Sequence, residues 1–113
     1  MIKHQSTLCK CNIPPFHYAD YDSVDFDTGN SIAEISLQNC KHCGNIWLKY
    51  LIEDPSRSGS GRWWRVLVPA SQVASITADN AKAFIENQTE GIVGGSYFGS
   101  TGMKISGRKI EIR

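Results

Sequence analysis

The four cysteines of this 113-residue chain fall into two close pairs, and they are the residues best suited to chemistry. The first pair is Cys9-Lys-Cys11, and the second is Cys40-Lys-His-Cys43, which is followed by Gly44. A Cys-x-x-Cys turn presents two thiolates at neighbouring corners of a tetrahedron, and the glycine after it permits the left-handed backbone common in such turns. Two pairs complete a four-sulfur shell. The spacing therefore predicts one structural Zn²⁺ bound by Cys9, Cys11, Cys40 and Cys43.

Other uses of these thiols stay open at this point. One histidine could replace a sulfur ligand, the candidates being His4, His17 and His42. A redox Cys-x-x-Cys pair usually opens a helix in a βαβ unit, whereas the second pair precedes a predicted strand. Free or disulfide-bonded cysteines are a further alternative. A catalytic zinc is disfavoured, because it normally has three protein ligands, an open position and a general base nearby.

Three predicted strands lie next to or close after the Cys40–Cys43 pair in the sequence. Alternating apolar residues predict a half-buried strand over 31–38 and a second strand over 46–53. Aromatic and β-branched residues predict a third strand over 62–68. The Pro-, Ser- and Gly-rich residues 54–61 indicate a loop that joins the last two strands as a hairpin.

One helix is predicted, over residues 77–88. Thr77 suits its N-cap, and Gly91 is a natural stop. Its narrow, mainly apolar stripe consists of Ala81, Phe84, Ile85 and Gln88.

The remaining segments give weaker signals. Residues 12–30 mix prolines, aspartates and aromatics and are predicted to be irregular or weakly extended. Residues 91–102 are glycine-rich and are predicted to be a loop, while 103–113 could add a short hairpin that turns at Ser106-Gly107. The fold class expected is α+β: one domain over residues 1–113, with a small, mostly antiparallel sheet, one helix and a metal at one end.

The second cysteine pair, with the strand and hairpin that follow it, resembles a zinc ribbon over about residues 9–68. Zinc ribbons are zinc-stabilised β modules that bind nucleic acids, form subunit interfaces or only stabilise a fold. The resemblance therefore implies a ligand role for the cysteines and no particular activity. The chain departs from the usual ribbon in its Cys-x-Cys pair and in the 28 residues between the pairs.

Charge and the N-terminal residues limit the function classes. The net charge of +1 lacks the strong basic excess of a protein that grips nucleic acid over a long track. The first six residues have no apolar signal-peptide core, and no stretch approaches the length of a membrane span. We therefore expect a cytoplasmic protein without a membrane contact, in a reducing compartment where clustered thiols more often bind metal than form disulfides.

An acidic segment is the first candidate surface for a partner. Residues 12–30 contain four aspartates and no Lys or Arg, which favours docking on a basic partner. These aspartates are Asp20, Asp22, Asp25 and Asp27. The spacing from Asp25 to Gly29 partly matches a calcium loop, but its glycine is at the fifth position, and Ser36 stands where the twelfth-position Glu would be. A solvated acidic loop is the prediction.

An aromatic and cationic strand face is the second candidate surface. Trp47, Trp63 and Arg65 lie on predicted faces opposite the core stripes, where they could contact a protein or stack on a base. The alternative is that the helix over 77–88 covers this face, so that both tryptophans belong to the core.

The leading hypothesis is a non-enzymatic protein-binding domain, because no nucleophile, base and orienting group can be assembled from the sequence. In general style, as a small stapled fold with an acidic segment, the chain is similar to bacterial immunity proteins. That similarity implies a protein partner, namely a toxin domain inhibited by direct binding. The alternative is a nucleic-acid-binding zinc ribbon that uses Arg57, Arg62, Arg65 and Trp63, with the basic C-terminal tail as a further candidate contact. A third hypothesis is an enzyme with a site in the glycine-rich tail.

Overall fold

The protein is described here by a computed structural model, which covers residues 9–29, 31–54 and 56–113. These residues form one six-stranded antiparallel sheet in which the strands follow one another in chain order. The strands are β1 Tyr21–Asp25, β2 Ala33–Cys40, β3 Ile46–Ile52, β4 Arg62–Leu67, β5 Glu90–Gly95 and β6 Ser100–Ser106. β1 and β6 are therefore the two edges of the sheet.

The strands predicted from alternating residues are confirmed. β2, β3 and β4 coincide with the three predicted segments to within two residues at each end. β3 and β4 pair as the expected hairpin, with Tyr50 opposite Trp64 and Leu48 opposite Val66. β2 shows the alternation of a strand with one buried face, whereas β3 and β4 contribute buried residues to both faces of the sheet.

Three segments gave weak signals, and two of the predictions for them were wrong. Residues 12–30, predicted to be irregular or weakly extended, contain β1, which pairs with β2 although most of its side chains are exposed. The supposed loop 91–102 contains most of β5, a 3₁₀ turn at Ser96–Phe98 and the start of β6. The predicted hairpin at 106–107 is absent, because 107–113 leave the sheet and bury Ile110 and Ile112 in the core.

The helix, α1 Ala81–Glu86, is shorter than the predicted 77–88. Its entry is a turn in which Thr77 and Asn80 bond to each other: Thr77 Oγ1 accepts from the Asn80 N–H at 3.2 Å, and Asn80 Oδ1 accepts from the Thr77 N–H at 2.8 Å. Ala81 and Ile85 of the predicted stripe are fully buried. Gly91 does not end the helix. It lies in β5, where a Cβ would come within 2.7 Å of the Arg65 carbonyl oxygen.

The sheet has a different cover on each face. α1 and the residues around Ile110 pack on the face that carries Leu48, Trp64 and Val66, forming the larger core. The opposite face carries Trp47 and Ile92, and residues of the segment before β1 pack there. One prediction was that the helix covers the Trp47 face, and this is wrong because the helix packs on the other face. The N-terminal segment covers the Trp47 face instead, and the cysteine cluster lies at this contact.

Candidate metal centre

The first cysteine pair lies on a 3₁₀ turn, Lys10–Asn12, just ahead of β1. The N–H of Asn12 donates to the Cys9 carbonyl at 3.0 Å, and the N–H of Ile13 donates to the Lys10 carbonyl at 3.0 Å. Cys9 precedes this turn and Cys11 lies within it, and both sulfur atoms reach the same cluster.

The second pair lies in the turn that joins β2 to β3. Cys40 is the last residue of β2, and its carbonyl accepts a 2.9 Å hydrogen bond from the N–H of Gly44. Gly44 has φ +79°, a left-handed conformation that a side chain would disfavour. The N–H of His42 points at the Cys40 sulfur at 3.4 Å. The predicted knuckle is therefore present, closed by the glycine.

The two pairs meet in one cluster. All four sulfur atoms lie within 4.8 Å of one another. The Sγ atoms of Cys9 and Cys40 are 3.7 Å apart, and those of Cys11 and Cys43 are 3.6 Å apart. With Zn–S bonds of about 2.3 Å, neighbouring sulfur atoms of a tetrahedral site lie about 3.8 Å apart. The four cysteines could thus hold one metal ion, and this separation is far too long for a disulfide, whose S–S bond is about 2.0 Å.

The surroundings of Cys11 suit a thiolate. Its side chain is 1% exposed, and burial raises the pKa of the Cys11 thiol to about 12. Yet Asn12 Nδ2 and Asn45 Nδ2 both approach this sulfur, at 3.7 and 3.9 Å. A buried thiol of such high pKa keeps its proton unless a cation replaces it. A metal-bound sulfur is a thiolate that accepts hydrogen bonds, and the two amide groups are placed to donate to it.

The other thiols show opposite influences of burial and hydrogen bonding. The backbone N–H of Cys11 lowers the pKa of the Cys9 thiol, while burial raises the pKa of the Cys43 thiol. A redox pair normally contains an exposed thiol of lowered pKa next to a helix N-terminus. The Cys40–Cys43 turn joins two strands, and burial raises the pKa of the Cys43 thiol, so neither feature of a redox pair is present in this turn.

Asp20 joins the two cysteine turns. Its Oδ1 lies 3.0 Å from Lys10 Nζ, between the first two cysteines, and 3.0 Å from His42 Nε2, between the second two. Its carbonyl accepts a 2.9 Å hydrogen bond from the N–H of Lys41. The hydrogen bonds from His42 and Lys10 lower the pKa of the Asp20 carboxyl. Although proposed as a partner contact, Asp20 connects the metal-binding turns to each other.

Arg65 lies beneath the cluster as a buried cation. It is 1% exposed, and its Nη1 donates to the Cys11 carbonyl at 3.1 Å. Its guanidinium carbon is 3.8 Å from the centre of the Phe16 ring, 4.3 Å from that of Trp47 and 5.2 Å from that of Tyr21. Its Nε and Nη2 have no hydrogen-bond partner among the described residues. Burial lowers the pKa of Arg65, whereas Tyr21 and, after it, the Cys11 and Cys40 thiols oppose that shift.

This buried charge needs a counter-charge. An isolated ion inside a protein is costly unless it is paired, and aromatic faces offset only part of that cost. A divalent metal with four thiolates carries a net charge of −2, which would supply the missing negative charge beside Arg65. Protonated thiols would leave the guanidinium without an anion. The donor set and its surroundings therefore fit a metal-loaded tetrathiolate.

The proposed partner-contact residues separate into two groups. Trp47 and Arg65 are buried under the N-terminal segment, and Trp63 is half-buried, with the Phe16 ring 5.8 Å away. These three therefore do not form the open aromatic and cationic patch that was expected, because Phe16 and the cysteine turn cover them. Asp22, Asp25 and Asp27 are exposed on or just after β1.

Two alternatives from the sequence concern a histidine ligand and a calcium loop. His4 lies outside the described residues, His17 is exposed, and His42 uses Nε2 for Asp20. Among the described residues, the four cysteines form the only cluster suited to a metal ion, so the partial calcium pattern brings no ligands together there. Asp27 instead accepts a local hydrogen bond from the Gly29 N–H at 2.9 Å.

The roles of Phe16, Asp20 and Asn45 were not predicted from the sequence. Phe16 and Asp20 lie in the segment expected to be irregular, and Asn45 follows the Cys-x-x-Cys-Gly motif directly. The one available signal was that a polar residue next to a metal knuckle often orients a ligand.

No known protein family, no curated protein and no solved structure matches this chain. Across the part of the chain that is described, no helix is both long and apolar enough to cross a membrane.

Proposed function

We propose that this protein is a non-enzymatic, zinc-stabilised protein-binding domain of the kind that inhibits a partner by direct contact. Zinc is the metal that a tetrahedral set of four thiolates suits best. Four protein ligands close the coordination shell, so no position is left for a substrate. The metal then acts as a staple between the N-terminal segment and the sheet.

The observation that carries the binding role is the composition of the β1 edge. Six large hydrophobic side chains are exposed among the described residues, and four of them lie in residues 13–32. They are Ile13, Tyr18, Val24 and Ile32, with exposed fractions of 55% to 91%. Asp22, Asp25 and Asp27 share this segment. Apolar side chains among like charges are typical of a docking surface, here one for a basic partner.

An unpaired edge strand strengthens this proposal. β1 is five residues long and pairs only with β2, so its outer backbone groups face away from the sheet. Such an edge can accept a strand from a partner, while its aspartates reject acidic surfaces. A toxin domain with a basic surface, inhibited in the cytoplasm, is the specific partner that we propose for this edge.

Co-expression with the products of the neighbouring genes tests this function. We expect one of them to form a one-to-one complex and to lose its activity in that complex. Asp25→Lys should slow association by roughly tenfold at low salt, since complementary charge mainly sets the association rate. Glu90→Lys, with the same charge change on exposed Glu90 of β5, is the matched control. Equal rates for the two variants would remove β1 as the docking surface.

A further inference from the structure

A second surface of opposite charge lies at the other edge of the sheet. Beside β6, the 107–113 segment leaves an open groove of about 370 Å³, which we call the C-terminal groove. Its cationic lining residues are Arg108, Lys109 and Arg113 together with Lys104, which is paired with Ile92 and so directs its side chain to the opposite face of β6 from Met103. Only one acidic residue, Glu111, lines it. The whole chain carries a net charge of +1, so this groove concentrates positive charge that the rest of the molecule offsets.

Most of these cations are unused by the fold. Arg113 pairs with Glu111 at 3.5 Å, but Lys104, Arg108 and Lys109 form no ion pair with any described residue. All three are exposed. Adjacent like charges repel one another, and nothing in the packing of the core requires them here. They are therefore available to an anionic ligand.

Aromatic and apolar surfaces adjoin the cations. Phe98, half-buried, and Met103, 44% exposed, line the groove above the buried Trp64. Tyr97, 51% exposed, packs edge-on against Phe98 with ring centres 5.0 Å apart. The Arg62 guanidinium lies 5.0 Å from the centre of the Tyr97 ring and donates through Nε to the Arg113 carbonyl, which places Tyr97 at the groove rim.

We propose that the C-terminal groove binds a single-stranded nucleic-acid segment, with phosphates on Arg108 and Lys109 and a base on the exposed ring of Tyr97. Cationic side chains along a backbone track and an exposed aromatic ring for stacking are the two features that such binding requires. An acidic peptide would use the charges but not the ring. The groove is distinct from the Trp63–Arg65 face, whose residues are covered by Phe16 and the cysteine turn.

The test is fluorescence anisotropy with a labelled single-stranded oligonucleotide of mixed sequence, titrated with the full-length, metal-containing protein at several salt concentrations. We expect an affinity that falls steeply with salt, since each phosphate contact releases counterions. Lys109→Glu and Arg108→Glu should each weaken binding by roughly tenfold at low salt and reduce the salt slope by about one per lost contact. Tyr97→Ala should weaken it by roughly tenfold at all salt concentrations, as expected for one stacked base.

Lys82→Glu is the matched control, because exposed Lys82 of α1 lines a different depression, with Asp27 and Tyr50. It should bind as the unmodified protein does, and unchanged melting temperature and metal content should show that all variants are folded. The proposal is overturned if the protein does not bind at low salt, or if the groove variants and Lys82→Glu lose affinity equally. A competition experiment gives a further test. If polyglutamate of equal length displaces the labelled oligonucleotide as effectively as unlabelled oligonucleotide does, the proposal is overturned in favour of an acidic protein partner.

Discussion

The Arg65 guanidinium donates a 3.1 Å hydrogen bond to the carbonyl of Cys11, so the centre of the sheet is tied directly to the first cysteine turn. Arg65 is 54 residues from Cys11 in the chain and completely enclosed. The cysteine cluster is therefore continuous with the second core of the protein.

Loss of the Arg65 charge should weaken metal binding. In Arg65→Gln, we expect the affinity for Zn²⁺ to fall by roughly 10- to 100-fold, the usual effect of removing an outer partner of a metal site. The physical reason is that the tetrathiolate loses a buried cation beside it and the Cys11 carbonyl loses its hydrogen-bond donor. Competition with a chromophoric chelator measures the affinity, and Arg57→Gln in the exposed β3–β4 loop is the control. Equal affinities in the two variants would mean that Arg65 has no electrostatic role at the centre.

Asp20 should control how fast the metal is released. Asp20→Asn keeps the shape of the side chain but removes the charge that holds Lys10 and His42. We expect Zn²⁺ to transfer to excess chelator several-fold faster, because the two turns can then separate more easily. Asp22→Asn is the control, since the Asp22 side chain is 80% exposed and its nearest cation, Lys41, is 4.0 Å away. Indistinguishable release rates would contradict the proposed link between the turns.

A change in the helix-side core should lower stability without affecting the metal. Ile85 of α1 is fully buried against the face opposite the cysteine cluster. Ile85→Ala should lower the free energy of unfolding by about 2–5 kcal/mol through lost burial and an unfilled cavity. Urea denaturation measures this loss, and metal analysis of the folded fraction should still give full occupancy. Loss of the metal from folded protein would contradict the separation of the two cores.

Gly94 should tolerate no side chain. A Cβ there would lie 2.5 Å from Cζ2 of Trp63 and 3.1 Å from the backbone nitrogen of Gly102, so Gly94→Ala should cost about 1–3 kcal/mol of stability. Gly61→Ala is the matched control, because its Cβ would meet its nearest atoms only at 3.4 Å. Thermal melting of both variants checks the difference. Equal melting temperatures for Gly94→Ala and Gly61→Ala would mean that Trp63 does not pack closely over β5.

The strands that could be predicted carry a strong apolar signal. β2 alternates because one of its sides faces the helix-side core, whereas β3 and β4 are rich in aromatic and β-branched residues and contribute to both cores. The cysteine spacing fits the geometry of a metal shell. β1 gave only the weak signal of an extended stretch, because four of its five residues are exposed. β5 was missed because its glycines, which usually indicate loops, are required there by the close approach of Trp63 and the Arg65 backbone.

The positions of the buried polar groups could not be predicted either. Arg65 reads as a surface cation in the sequence, and only the covering of the sheet by Phe16 and the cysteine turn buries it. Asp20 reads as one of four equivalent aspartates, yet it alone faces both cysteine turns. Such contacts between distant segments leave no periodic signal.

The central claim is that four thiolates bind one metal ion that staples residues 9–20 to the sheet. Native mass spectrometry of the purified protein, and of Cys40→Ser prepared in the same way, tests this directly. We predict a mass shift of one zinc ion per chain, corrected for the protons that the thiols release, and its loss in Cys40→Ser together with a large drop in melting temperature. A metal-free protein as stable as the zinc-loaded form, or a Cys40→Ser variant of unchanged stability, would contradict the claim.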